Sequence, residues 1–117
     1  MEEEISEKIC VCALNRIFGF KPTIALGLIN ALGSASAVFK ADQDTIRRLI
    51  GPFNGYEKIG REAIEEAQKE LETVSRMGYE FICINDPDYP LLLKECEDPP
   101  VGLYISAMSP PSEIFNL

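Results

Sequence analysis

The sequence changes its pattern at Gly78, and this change sets the main limit on the fold. Before Gly78, apolar residues recur three and four residues apart, which is the spacing of amphipathic helices. After it, residues 79–84 and 101–105 form short segments rich in β-branched and aromatic residues, which is typical of strands. We therefore predict a mostly α-helical chain with about five helices to residue 78, followed by a β-α-β fragment.

Glycine and proline residues divide the helical part. The predicted helices cover residues 2–18, 23–32, 35–40, a segment from Asp42 or Asp44 to Leu49, and 56–77. Pro22 fits the first turn of the second helix, Gly33 suits its left-handed end, and Ser34 can cap the third helix. The second helix is apolar nearly all round, which predicts that it is buried. The glutamate-rich face of the last helix is interpreted as solvated, with a partner surface as the alternative.

The part of the chain after Gly78 predicts a small unit that needs support. Two strands alone are only marginally stable in water, so they either pack on the helices or belong to a larger sheet. Residues 109–117 contain Ser-Pro-Pro-Ser and are interpreted as a linker. A chain that stops there resembles a truncated one, with further strands outside it.

The composition excludes several classes of function. The chain has no histidine, so histidine-based acid–base catalysis and histidine-ligated metal sites are not available to it. Neither G-x-G-x-x-G nor the P-loop spacing occurs. The sequence therefore predicts a protein that is not an enzyme, with no catalytic residues, no bound metal and no cofactor.

The hydropathy, the N-terminus and the cysteines predict the location of the protein. No apolar run approaches the roughly 18 residues that span a bilayer, and the acidic N-terminus is unlike a secretory signal. The four cysteines, at positions 10, 12, 83 and 96, are interpreted as reduced thiols, with a disulfide or zinc site as the alternative. We expect a cytoplasmic protein with no membrane association.

The charge distribution directs attention to the first half of the chain. The net charge is −8, and residues 55–117 carry five basic and thirteen acidic side chains, whereas residues 15–54 have a net charge of +3. A tight glycine turn between two helices can leave backbone N–H groups free to hold a phosphate. The weak candidates for nucleic-acid binding are therefore Gly33 and Ser34 in the turn, with Lys40, Arg47 and Arg48 adding charge nearby. Ordinary structural turns are the interpretation that the residues favour.

Three further features admit a functional and a structural interpretation. A second turn, at residues 51–55, precedes residues 63–64 at an offset comparable to that of the first turn, which suggests a pair of such units. Pro52, however, lacks an N–H group for a phosphate. Asp86 and Asp88 could form part of a metal site, although a turn with Asp88 as helix cap is the simpler interpretation. Tyr89 could stack on a base, although packing is more common beside a proline and three leucines.

Two segments of the chain resemble the DprA/Smf DNA-processing family. Residues 84–94 contain Asp-Pro-Asp-Tyr-Pro-Leu-Leu-Leu, and residues 98–104 read Asp-Pro-Pro-Val-Gly-Leu-Tyr. In the family, a D-P-x-Y-P-x-x-L segment leads into a D-P-P-x-x-L-Y strand. Residues 13–14, 32–34 and 37–39 are also similar to the helical domain that precedes it in the family, so the resemblance covers about residues 10–106.

The resemblance implies a sterile-alpha-motif-like or helix-hairpin-helix-like domain at residues 1–78 and the start of an extended Rossmann-like domain at 79–108. It also implies a bacterial, cytosolic protein that binds single-stranded DNA and helps to load RecA during natural transformation and recombination. The family's main DNA-binding pocket is headed by a Gly-x-Arg segment that this chain lacks, so none of its residues can be assigned here. Homodimerisation is implied only through the missing domain, and we expect this chain to bind DNA weakly, as an accessory or regulatory module.

The residues are also compatible with two other functions. One is a protein–protein interaction domain of the sterile-alpha-motif kind, in which the acidic helix contacts a protein partner. The other is a generic tandem helix-hairpin-helix DNA binder. The predicted strand pair argues against this function, because such modules need no strands.

Overall fold

The computed structural model describes residues 6–106 and agrees with a mostly α-helical class. The helices are α1 (Glu7–Ile17), α2 (Pro22–Leu32), α3 (Ala35–Lys40), α4 (Gln43–Ile50), α5 (Arg61–Arg76) and α6 (Leu91–Lys94). A short 3-10 helix covers Tyr56–Lys58, and the strands are β1 (Tyr79–Cys83) and β2 (Gly102–Ser106). Within residues 6–106, five α-helices therefore precede Gly78, and a β-α-β order follows it, as predicted.

Most helix ends lie where the local sequence predicts them, because the capping residues make the expected contacts. Ser34 Oγ accepts a hydrogen bond from the N–H of Ala37, and Asp42 Oδ1 accepts one from the N–H of Thr45. Gly33 ends α2 with a φ of 103°, a left-handed conformation that a residue with a Cβ adopts only with strain. The first helix begins after Ser6, whereas the predicted start at residues 2–5 lies outside the described residues.

The predicted helix over residues 56–77 is wrong in its first turns. The chain forms a 3-10 turn, becomes extended at Ile59 and Gly60, and only then starts α5. The Ile59 side chain lies in the core at 7% exposure, in this extended step ahead of α5. Asp88 was also predicted to cap α6, but the cap position is Pro90 and no side chain bonds there.

Helix α1 is the centre of the structure. It contacts α2, α3, α5 and both strands, and all five of its residues from 10 to 14 are buried. The prediction that α2 is buried all round is wrong, because only one side of it faces α1 and α3. Ala25, Leu28 and Ile29 are buried on that side, while Gly27 and other residues remain on the surface.

The two strands pair antiparallel and pack on the helices. Phe81 faces Tyr104 across the sheet, with ring centroids 5.0 Å apart, and its side of the sheet joins the helical core. The other side of the sheet forms a second small apolar cluster, which includes Tyr89. The pairing differs from a Rossmann β-α-β crossover, whose strands are parallel, because the connection through α6 here returns the chain antiparallel to β1.

Candidate nucleic-acid interface

The Gly33–Ser34 turn directs its backbone N–H groups at side chains of the same chain. The carboxylate of Glu7 accepts hydrogen bonds from the N–H of Ala35 at 2.7 Å and of Ser36 at 2.9 Å. Ser34 Oγ accepts the N–H of Ala37 at 3.1 Å. The expectation that this turn leaves N–H groups free for a phosphate is therefore wrong for these three groups.

Glu7 takes the place that a phosphate would need. Its negative charge lies at the positive end of α3, where carboxylates and phosphates are stabilised for the same reason. An incoming phosphate would have to displace the carboxylate and meet its repulsion. The contact also ties the first turn of α1 to the start of α3, which gives the turn a structural role.

Within residues 6–106, none of the three basic residues predicted to assist the turn bonds to it. Arg47 and Arg48 both pair with Asp44, at 3.4 Å and 2.9 Å. Lys40 is exposed and lies in the last turn of α3, whereas the Gly33 turn is at the other end of that helix. The structure therefore brings Gly33 and Ser34 together with Glu7, and not with this set of three cations.

The second turn, residues 51–55, is part of a surface that the sequence reasoning did not single out. Phe53 at its tip is 94% exposed, and Phe20, in the turn between α1 and α2, is 102% exposed. Both residues line one open cavity of about 250 Å³, together with Lys21 and Lys58. We call this surface the Phe20–Phe53 groove. A phenylalanine inside a glycine- and proline-rich turn, outside any apolar periodicity, is the sequence signal that could have found it.

Asp86 and Tyr89 have structural roles in the loop after β1. Asp86 Oδ2 accepts the N–H of Cys83 at 2.9 Å and closes the turn, as the structural interpretation predicts. The Tyr89 hydroxyl donates to the carbonyl of Pro100 at 2.6 Å. Burial raises the pKa of Tyr89 to about 12, and at 5% exposure its ring packs in the core and has no face open to a base.

The cysteines are unpaired thiols. Burial raises the pKa of Cys10 to about 11 and the pKa values of Cys12 and Cys83 to about 12, so these three are unreactive at neutral pH. Cys96 is exposed. Within residues 6–106 there is no group of three or more side chains that could hold a metal ion.

The acidic face of α5 is exposed along most of its length. Arg16 of α1 reaches across to Glu66 at 3.2 Å and also pairs with Glu70. The glutamates at positions 62, 65 and 72 are exposed, and one of them, Glu65, pairs only with Arg61 on its own helix, at 3.8 Å. Such pairs at the surface contribute little to stability, and most of this face is exposed.

Comparisons with known proteins identify no relative. No protein-family model, no curated protein and no solved structure gives a significant match to the chain. Among the described residues, none of the helices is both long and apolar enough to cross a membrane.

Proposed function

We propose that this chain is the N-terminal part of a DprA-like protein, which binds single-stranded DNA and helps to load RecA during natural transformation. In this proposal the helices up to Gly78 form the sterile-alpha-motif-like or helix-hairpin-helix-like domain. The segment from Tyr79 begins the extended Rossmann-like domain. The protein is cytoplasmic and is not an enzyme.

The observation that carries the proposal is the hydrogen bond between Tyr89 and Pro100. These residues belong to the two segments that resemble the DprA/Smf family, which are separated in sequence. The bond joins them into one folded unit, as would be needed if the two motifs mark a single structural feature. Asp86, in the first segment, closes the turn that brings Tyr89 into position.

Electrostatics support an accessory role in DNA binding. The chain has a net charge of −8, and two of the three cations predicted to assist the first turn, Arg47 and Arg48, are paired with Asp44. Affinity for a polyanion depends on unpaired positive charge, so DNA binding by this chain is expected to be weak and to fall with salt.

The test is a RecA-loading assay. The rate at which RecA takes over single-stranded DNA coated with single-strand-binding protein is followed by its DNA-dependent ATP hydrolysis, with and without the chain. The proposal expects the chain to change this rate, with Tyr89→Phe weaker than the native chain. No effect at any chain concentration, together with no binding of the chain to RecA, would count against it.

A protein–protein interaction domain is the second candidate. The exposed glutamates of α5 favour it, because they form a broad acidic surface with few contacts to the rest of the chain. This candidate expects a basic partner whose binding is lost when Glu62, Glu65 and Glu72 are replaced by glutamine, with DNA binding unchanged.

A further inference from the structure

The Phe20–Phe53 groove exposes more aromatic surface than folding requires. Phe20 and Phe53 are 102% and 94% exposed, and they come from two different turns that line one cavity together with half-buried Ile24. Large aromatic side chains contribute to a fold by being buried, and these two contribute almost nothing in this way. Their rings are available to a ligand from solution.

The groove also differs in charge from the rest of the chain. Lys21 and Lys58 line it, and neither forms an ion pair within residues 6–106. Among the described residues, no aspartate or glutamate lines this cavity. Glu57, next to Lys58 in sequence, lines an adjacent cavity that Lys58 also lines. In a chain with a net charge of −8, two unpaired lysines beside two exposed rings form a local cationic surface.

This combination is the one that proteins use for unpaired nucleotides. Bases stack on aromatic rings whatever their sequence, and the lysines contact the phosphates between them. A duplex keeps its bases stacked on each other and offers no faces to Phe20 or Phe53. An acidic peptide could pair with the lysines. Its side chains would stack on the two exposed rings less fully than flat bases do.

We propose that the Phe20–Phe53 groove binds single-stranded nucleic acid, with bases stacked on Phe20 and Phe53 and phosphates held by Lys21 and Lys58. The inference rests on the proposed function, which names the kind of polymer that is bound. The residues that contact the polymer are a separate assignment, because neither the family resemblance nor the Gly33 turn identifies them. The site is small, so it positions a strand and does not hold it alone.

The first experiment uses the absence of tryptophan from the chain. Phe53→Trp introduces a single tryptophan, whose fluorescence is quenched when a base stacks on it. The complete chain is titrated with oligothymidylate, oligouridylate and a DNA duplex at low salt. We expect quenching by the single strands and none by the duplex, and the two single-strand arms distinguish DNA from RNA. Leu92→Trp, at an exposed position on α6, is the control and should not respond.

The second experiment measures affinity through the anisotropy of labelled oligothymidylate. Phe20→Ala and Phe53→Ala should each weaken binding at least about 5-fold, the equivalent of the roughly 1 kcal/mol lower bound for one stacked base. Two phosphate contacts give a slope of log affinity against log salt of about −1.4, and Lys21→Ala or Lys58→Ala should halve it. Lys69→Ala on α5 is the matched control with an exposed lysine.

Three outcomes would overturn the inference. One is the absence of quenching and of anisotropy change even at low salt. Another is binding that survives both phenylalanine substitutions but is lost when Lys40, Arg47 and Arg48 are replaced, which would leave the proposed function intact and move the site. The third is quenching by an acidic peptide, titrated as a further arm, without quenching by either single strand, which would make the groove a protein-docking surface. The proposed function is judged separately, by the RecA-loading assay.

Discussion

Replacing Glu7 by alanine tests the structural account of the Gly33 turn. The substitution removes the acceptor of two backbone hydrogen bonds, from Ala35 at 2.7 Å and Ser36 at 2.9 Å. Loss of a helix cap costs about 0.5–2 kcal/mol, and a hydrogen bond to a charged group is worth about 1.5–3 kcal/mol. Because the carboxylate lies at the surface and water can replace part of what is lost, we expect a loss of about 1–2 kcal/mol in the free energy of unfolding.

The measurement is urea unfolding followed by circular dichroism, with thermal unfolding as a second readout. A loss of this size lowers the Tm of a domain of about 100 residues by about 4 °C or more. Glu7→Gln keeps one acceptor oxygen without the charge and should lose less. Glu72→Ala, at an exposed position on α5, removes the same charge and no contact within the described residues. Equal stabilities for Glu7→Ala and Glu72→Ala would refute the capping role.

The same pair of variants tests the phosphate interpretation of the turn. Glu7→Ala exposes the two N–H groups, whereas Glu72→Ala changes only the net charge. We expect equal affinities for oligothymidylate, because Ser34 still holds the N–H of Ala37 and α3 has only six residues. A gain confined to Glu7→Ala would identify the turn as a phosphate site that the carboxylate blocks.

Three further predictions concern a glycine of β2, the Tyr89 hydroxyl and the thiols. Gly102→Ala should destabilise the protein by about 1–3 kcal/mol in urea unfolding, because its Cβ would overlap the Phe81 ring, whereas Gly27→Ala, with open space around it, should stabilise α2. Tyr89→Phe should cost about 1 kcal/mol at neutral pH. The pKa of Tyr89 is higher in the folded state than in the unfolded state, so the folded protein keeps this proton to higher pH. The free energy of unfolding therefore falls as pH rises from about 10 toward 12, and it falls less steeply in Tyr89→Phe. With a thiol reagent at pH 7, Cys96 should react at once and the three buried cysteines only on unfolding; rapid reaction of a second thiol would contradict the burial described above.

The sequence by itself determined the elements that depend on neighbouring residues. A glycine in the left-handed region, a serine or aspartate cap and a proline in the first turn act within a few residues of the chain, so the ends of α2, α3 and α4 followed from them. The switch from helices to strands at Gly78 followed from a change of periodicity. The reduced state of the cysteines agrees with the structure, which leaves all four unpaired.

Only the tertiary structure decided what occupies each surface. The turn at Gly33 has the local geometry of an anion site, but Glu7, far from it in sequence, folds back and fills it. Phe20 and Phe53 belong to separate turns, and no local signal says that they line one cavity. Helix α1 became the centre because more elements cover it than cover the more apolar α2. Which groups meet across the fold depends on the packing of whole helices, and this information is spread over the entire chain.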